Sequence, residues 1–212
     1  MTSETVTLTE LERDALTEIV NIGVSRAASS LRKMVGAHVL LSVPSIEVVS
    51  QRRAARLIGE REIAQLVAVR QDFSGPFSGR ALLIFPEANS LALVRAVAGD
   101  ELSAEELVEM EHEALAETGN VILNGCLGTM ANMLQRSLSL TIPEIIKGDG
   151  AVLFDAWGQN GTDGLVLFLY IDFSVRQRDI RGYIAMIMNL PAITALSELL
   201  GEFITRVVGD DA

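Results

Sequence analysis

Eight polar side chains hold the chemistry open to this sequence. Asp14, Glu18, Asn21 and Ser25 stand at i, i+4, i+7 and i+11, which places them on one face of a helix. Glu113, Glu117, Asn120 and Asn124 repeat the same spacing. A carboxylate in such a stripe can pair with a cation. An amide can both accept from and donate to a water without adding charge. The plain reading of a single polar stripe is a solvated face, and two features weigh against it. Asparagine is a mediocre mid-helix residue, because its side chain competes for backbone hydrogen bonds. In addition, Glu-x-x-Asn stands at the same place in both segments, while neighbouring positions differ, as in Ser25 against Asn124 and Arg13 against His112. The stripes are expected to face solvent, so that Asn→Ala there leaves folding nearly unchanged.

The other reactive residue types offer less. Cys126 is the only cysteine and sits among Gly125, Leu127, Gly128 and Met130, which suits a buried structural thiol better than a nucleophile. His38 and His112 show no metal-ligand spacing, and the acids are not accompanied by clustered aspartates. A metal-dependent hydrolase therefore fits poorly. Neither a metal site nor a cofactor of the protein's own is expected.

The elements that must position the stripes repeat. A shift of 99 residues aligns residues 8–46 with residues 107–145 without a gap. Identical pairs include Glu12 and Glu111, Leu16 and Leu115, Glu18 and Glu117, Asn21 and Asn120, Met34 and Met133, and Pro44 and Pro143. Further on, Asp72-Phe73-Ser74 recurs as Asp172-Phe173-Ser174. The chain is thus expected to be one domain, residues 1–212, made of two related halves at about 8–100 and 103–209. Two copies suit a duplicated α/β unit and not a solenoid, which needs three or more repeats.

In each half a capping box, Thr9-x-x-Glu12 or Ser103-x-x-Glu106, opens a helix predicted to run to Met34 or Met133. The apolar faces are Leu16, Val20, Val24, Ala27 and Leu31 in the first helix, and Leu115, Ile122, Leu123, Leu127 and Met130 in the second. Strands are predicted at Val39–Val49 and Leu138–Ile146. Each contains a proline, which cannot donate to a ladder and so favours an edge or a bulge. Ile63–Phe73 and Gly79–Phe85 read as two strands joined by a turn, and Leu165–Phe173, preceded by a turn at Thr162-Asp163-Gly164, is expected to pair with Tyr183–Met188. Helical segments follow at Glu87–Ala98 and Ala192–Gly201.

Composition narrows the function classes. Of 212 residues, 49% are hydrophobic and 21% charged, enough to bury a sizeable core and too ordered a balance for a disordered chain. The formal net charge of −11 argues against a nucleic-acid partner, which needs clustered Lys and Arg. A polar, acidic N-terminal stretch does not resemble a signal peptide, and runs such as Leu165–Ile171 are too short to span a bilayer. A cytoplasmic location without membrane contact is expected.

The spacing Asp/Ser-x3-Glu-x2-Asn-x22-Pro resembles the signature of the CheC, CheX and FliY phosphatases. The first half matches fully with Asp14, Glu18, Asn21 and Pro44. The second carries Glu113, where Asp or Ser is usual, followed by Glu117, Asn120 and Pro143. Residues 75–99 also look like the strand and helix that follow in CheC proteins. The resemblance implies a CheC-like α/β fold. Two long motif helices would lie on one face of a continuous sheet, related by a pseudo-two-fold. It implies a hydrolase that removes the aspartyl phosphate of a CheY-type response regulator in chemotaxis. Asn21 and Asn120 would position the attacking water, and Glu18 and Glu117 would dock the receiver's lysine. Asp14, Pro44, Glu113 and Pro143 are supporting positions. Mg²⁺ would come with the receiver. Two motifs in one chain suit a monomer, and a CheD-type receptor deamidase is a second partner known for some CheC proteins. The alternative is a non-catalytic module of the FliM kind, a flagellar-switch protein that shares the architecture, binds the receiver and lacks the Glu-x-x-Asn pair.

Overall fold

The computed structural model describes residues 8–36, 38–98, 103–155, 164–175 and 178–209. Its elements follow the chain as α1 (Glu10–Val35), β1 (Val39–Ser50), α2 (Gln51–Arg61), β2 (Leu66–Ser74), β3 (Gly79–Pro86) and α3 (Glu87–Ala98). Then come α4 (Ala104–Met133), β4 (Ser139–Leu140), β5 (Glu144–Gly148), α5 (Gly150–Asp155), β6 (Leu165–Val175), β7 (Arg178–Met188) and α6 (Leu190–Gly209). Both expected capping boxes form. Thr9 and Ser103 accept from the backbone N–H of Glu12 and Glu106, whose carboxylates reach back to the cap N–H groups. Those bonds hold the exposed Glu106 carboxyl below the usual carboxylate range. For Glu12, burial pushes upward, but bonds from Ser197 and Thr9 outweigh it and leave the carboxyl lowered.

One antiparallel sheet runs in the order β1-β6-β7-β3-β2, and β2 then pairs with β4 and β5 along its outer edge. The order has a simple property. If β1, β2 and β3 are exchanged with β5, β6 and β7, it reads the same from the other end. The first strand of each half therefore pairs with the hairpin of the other half, β1 on β6 and β5 on β2.

Alternation along the strands divides the core in two. Val67, Val69 and Phe73 of β2 and Leu167, Leu169, Ile171 and Phe173 of β6 face the layer containing α1, α3, α4 and α6. Leu66, Ala68, Val166 and Phe168 face α2 and α5 on the opposite side. The apolar faces expected on the two long helices are all buried, each residue 2% exposed or less. Helices α1 and α4 pack directly on each other. A Cβ at Gly23 would lie 2.9 Å from the Cα of Cys126, so side-chain-free contact sets their approach. Burial pushes the Cys126 thiol up to about 12, consistent with a packing role.

Several boundaries differ from the sequence expectation. The strand expected at Leu138–Ile146 is split into β4 and β5, with residues 141–143 between them outside any strand. The strand expected from Ile63 starts at Leu66, and Ile63 itself is fully exposed. Helix α6 is much longer than Ala192–Gly201. Pro191 sits in its first turn, where the missing N–H costs nothing. Helices α2 and α5 are additional. In α2, Ala54, Leu57 and Ile58 form a buried stripe, with Ser50 capping the helix directly at the end of β1. Of the expected Thr162-Asp163-Gly164 turn, residues 162 and 163 lie outside the described residues.

Candidate functional site

Each motif helix rests on a strand that carries one extra residue beside its asparagine. In the first half, Ser42 pairs with Asp172 and Ser45 with Tyr170, so Val43 and Pro44 together oppose Ile171 alone. This is a β-bulge, and proline is tolerated there because the bulge removes the ladder bond its absent N–H would have made. Asn21 closes onto that bulge from α1. Its Oδ1 accepts from the Val43 N–H at 3.0 Å, and its Nδ2 donates to the Val43 carbonyl at 3.3 Å. Val43, 22 positions after Asn21, thus marks the length of chain that returns from mid-helix to the bulge.

The second half solves the same problem differently. Leu140 pairs with Phe73 and Glu144 with Arg70, so three residues, Thr141, Ile142 and Pro143, oppose Gln71 and Asp72. Here the extra residue opens the strand. Thr141 donates its N–H to the Asp72 carbonyl at 3.0 Å, and its hydroxyl accepts from the Asp72 N–H at 2.9 Å. Ile142 turns outward and is 84% exposed, while Val43 is 2% exposed. Asn120 finds its partners among side chains. Its Oδ1 accepts from Gln71 Nε2 at 3.3 Å and from Asn124 Nδ2 at 2.8 Å. Gln71 also donates from Nε2 to the Thr141 carbonyl at 2.9 Å. Helix α4 comes close enough for this because of Gly119, where a Cβ would lie 2.5 Å from a methyl of Val69 on β2.

The carboxylates of both stripes, Asp14, Glu18, Glu113 and Glu117, are exposed, whereas Asn21 and Asn120 are half-buried. The expectation of fully solvated stripes holds for the acids and fails for the amides, because Asn21 takes up the Val43 backbone groups at its bulge and Asn120 reaches the sheet through the Gln71 side chain. Around Asn21 a shallow depression is lined by Glu18, Ile22, Ser25, Arg26 and Ser29. Arg26 reaches across to Thr129 of α4 at 3.5 Å. A separate cleft on the α2 side, lined by Arg61, Tyr170 and Tyr183 among others, holds none of the motif residues. Among the described residues no group of three His, Cys, Asp or Glu side chains is placed to hold a metal, and no helix is long and apolar enough to cross a membrane.

Gln71 and Thr141 are members of the site that sequence reasoning missed. A signal for Gln71 was present. The inward positions of β2 are Val67, Val69, Gln71 and Phe73, so one amide interrupts an apolar alternation.

The curled antiparallel sheet packed against two long paired helices is a fold shared with chemotaxis proteins of known structure. Residues 67–156 match the family described as "Chemotaxis phosphatase CheX", and residues 11–48 match the "CheC-like family". The chain is 23% identical over 199 residues to the CheY-P phosphatase CheC of Bacillus subtilis, covering 91% of this chain and 95% of that protein. It is 22% identical over 200 residues to the flagellar motor switch phosphatase FliY of the same organism, covering 92% of this chain but only 50% of that protein. The chain therefore spans about half the length of that FliY. The crystal structure of Thermotoga maritima FliY superimposes with a TM-score of 0.71 at 17% identity, covering 93% of this chain and 100% of that one. Both parts of the chain are thus similar in sequence to the CheC, CheX and FliY phosphatases, and its fold matches that of FliY.

Proposed function

We propose that this protein is a phosphatase for the aspartyl phosphate of a CheY-type response regulator, acting in the cytoplasm as a monomer with two sites. The observation that carries the reading is that both Glu-x-x-Asn stripes combine an exposed carboxylate with a half-buried, oriented amide. An aspartyl phosphate is already an activated acyl phosphate. Its hydrolysis needs a water held in line with phosphorus while the P–O bond to the aspartyl carboxylate breaks, releasing inorganic phosphate. A neutral amide suits that task, since a carboxylate beside the phosphoryl oxygens would be repelled. Each amide group has capacity to spare: Oδ1 accepts two hydrogen bonds and Nδ2 donates two, so Asn21 can hold Val43 and still meet a water. Glu18 and Glu117, exposed one turn before each asparagine, are placed to meet a cation on the partner. By the family resemblance that cation is the receiver's lysine, and Mg²⁺ is part of the receiver's own site.

The equivalence of the two halves, about 8–100 and 103–209, is part of the same proposal. The symmetric strand order, the paired bulges and the matching capping boxes support descent from one duplicated unit. Incubation with a phosphorylated CheY-type receiver tests the function. Accelerated phosphate release is expected. Protection of the phosphoryl group, or no effect despite binding, would favour a FliM-like binding module instead.

A further inference from the structure

We infer that Gln71 is a positioning residue for the second site: it fixes the amide of Asn120 in one orientation, as the Val43 backbone does for Asn21. The inference rests on the asparagine mechanism proposed above and assigns a role outside the motif.

The orientation of the Gln71 amide is dictated by its surroundings. The Thr141 carbonyl can only accept, so the Gln71 NH₂ group must face it, at 2.9 Å. The same NH₂ group then offers its second N–H toward α4, where Asn120 must present Oδ1, at 3.3 Å. Asn124 Nδ2 donates to the same oxygen. Asn120 Nδ2 is thereby turned away from the sheet, and among the described residues it donates to no partner. A donor held in that way is available to a water or a phosphoryl oxygen.

Two further observations separate this from ordinary core packing. Gln71 is 1% exposed, and its Oε1 has no partner among the described residues. A buried orphan acceptor is destabilising and rare in native proteins. An aliphatic side chain would avoid that cost, and the first half has one. The residue opposite its bulge is Ile171, 2% exposed, where Asn21 is held by backbone instead. Glutamine appears only beside the bulge whose strand has opened and whose backbone leaves Asn120 to side chains.

The test uses receiver dephosphorylation by the full chain, with Gln71→Met placed in two backgrounds. Methionine keeps the volume and removes both donors. In an Asn21→Ala background only the second site works, and Gln71→Met is expected to lower kcat between about tenfold and a hundredfold with KM unchanged. In an Asn120→Ala background only the first site works, and the same substitution is expected to leave kcat and KM as they are. Gln71→Asn, too short to span Thr141 and Asn120, should give the same split and covers the case in which methionine does not fold. An equal loss in both backgrounds would show a general packing role and overturn the inference, as would an unchanged kcat in the Asn21→Ala background. If the Asn21→Ala/Asn120→Ala protein kept the wild-type rate, the asparagine mechanism itself would fall, and the Gln71 role with it. A dead double variant with an unaffected second site in Gln71→Met would sink the Gln71 role alone.

Discussion

The surroundings of Asn21 and Asn120 show two ways of holding the same side chain. In the first half the strand stays whole through its bulge, and backbone groups of Val43 grip the amide at both ends. In the second the strand breaks into β4 and β5, Ile142 swings into solvent, and Gln71 and Asn124 take over. The helices differ to match. At the position corresponding to Val20 of α1, α4 has Gly119, which lets it settle against Val69. A backbone clamp survives most substitutions, whereas a side-chain clamp can be changed by one. Under the proposed mechanism the second site is the one open to sequence change, and it is also the one with Glu113 where the resemblance leads one to expect Asp or Ser.

The largest expected effect removes both amides. Asn21→Ala and Asn120→Ala should each abolish one site, at a cost on the order of a hundredfold there, and the double variant should lose nearly all receiver dephosphorylation. Each single variant should keep the activity of the untouched half. Steady-state phosphate release, with circular dichroism as the folding control, reads all four proteins.

Gly119→Ala should separate the halves through packing. The new methyl would meet Val69 at 2.5 Å, so α4 must lift from β2 or Val69 must move. Overpacking of this kind costs about 1–3 kcal/mol. The thermal midpoint is expected to fall, and activity measured in an Asn21→Ala background should fall with it. Unchanged stability would mean that the close approach of α4 to the sheet is not required.

The stability costs of the two asparagine substitutions should also differ. Asn21→Ala strips the partners from a buried backbone N–H and carbonyl at Val43, for about 1–3 kcal/mol. Asn120→Ala leaves no backbone group without its bond, since Gln71 retains the Thr141 carbonyl. Urea unfolding should therefore rank Asn21→Ala as the less stable variant. The reverse order would contradict the backbone clamp.

The smallest effect lies at the ends of the motif helices. Gly36 ends α1 in the left-handed region at φ 61°, and the corresponding residue after α4, Gln135, adopts φ 54°. A side chain there is strained by about 1 kcal/mol. Gln135→Gly is expected to raise stability by up to that amount without changing activity, as measured by chemical denaturation.

Much of this was legible in the residues alone. Capping boxes need only local contacts, so Thr9 with Glu12 and Ser103 with Glu106 announced both helix starts. Burial on a helix follows its period, so the apolar faces of α1 and α4 could be read directly. The prolines marked the bulges because a missing N–H is a local fact. The doubled Glu-x-x-Asn pointed to the residues on which the proposed sites rest. Tertiary structure decided what holds them. Whether Asn21 meets solvent or the Val43 backbone depends on how far α1 stands from β1, a distance no local pattern encodes. The break between β4 and β5 depends on pairing with β2, whose residues lie some seventy positions earlier, as in Gln71 with Thr141. Gln71 itself looked like one polar residue in an apolar strand until the fold placed Asn120 and the Thr141 carbonyl within reach of one NH₂ group. Hydrogen bonds between side chains distant in sequence form only when packing brings both partners within about 3 Å, and packing is a property of the whole chain.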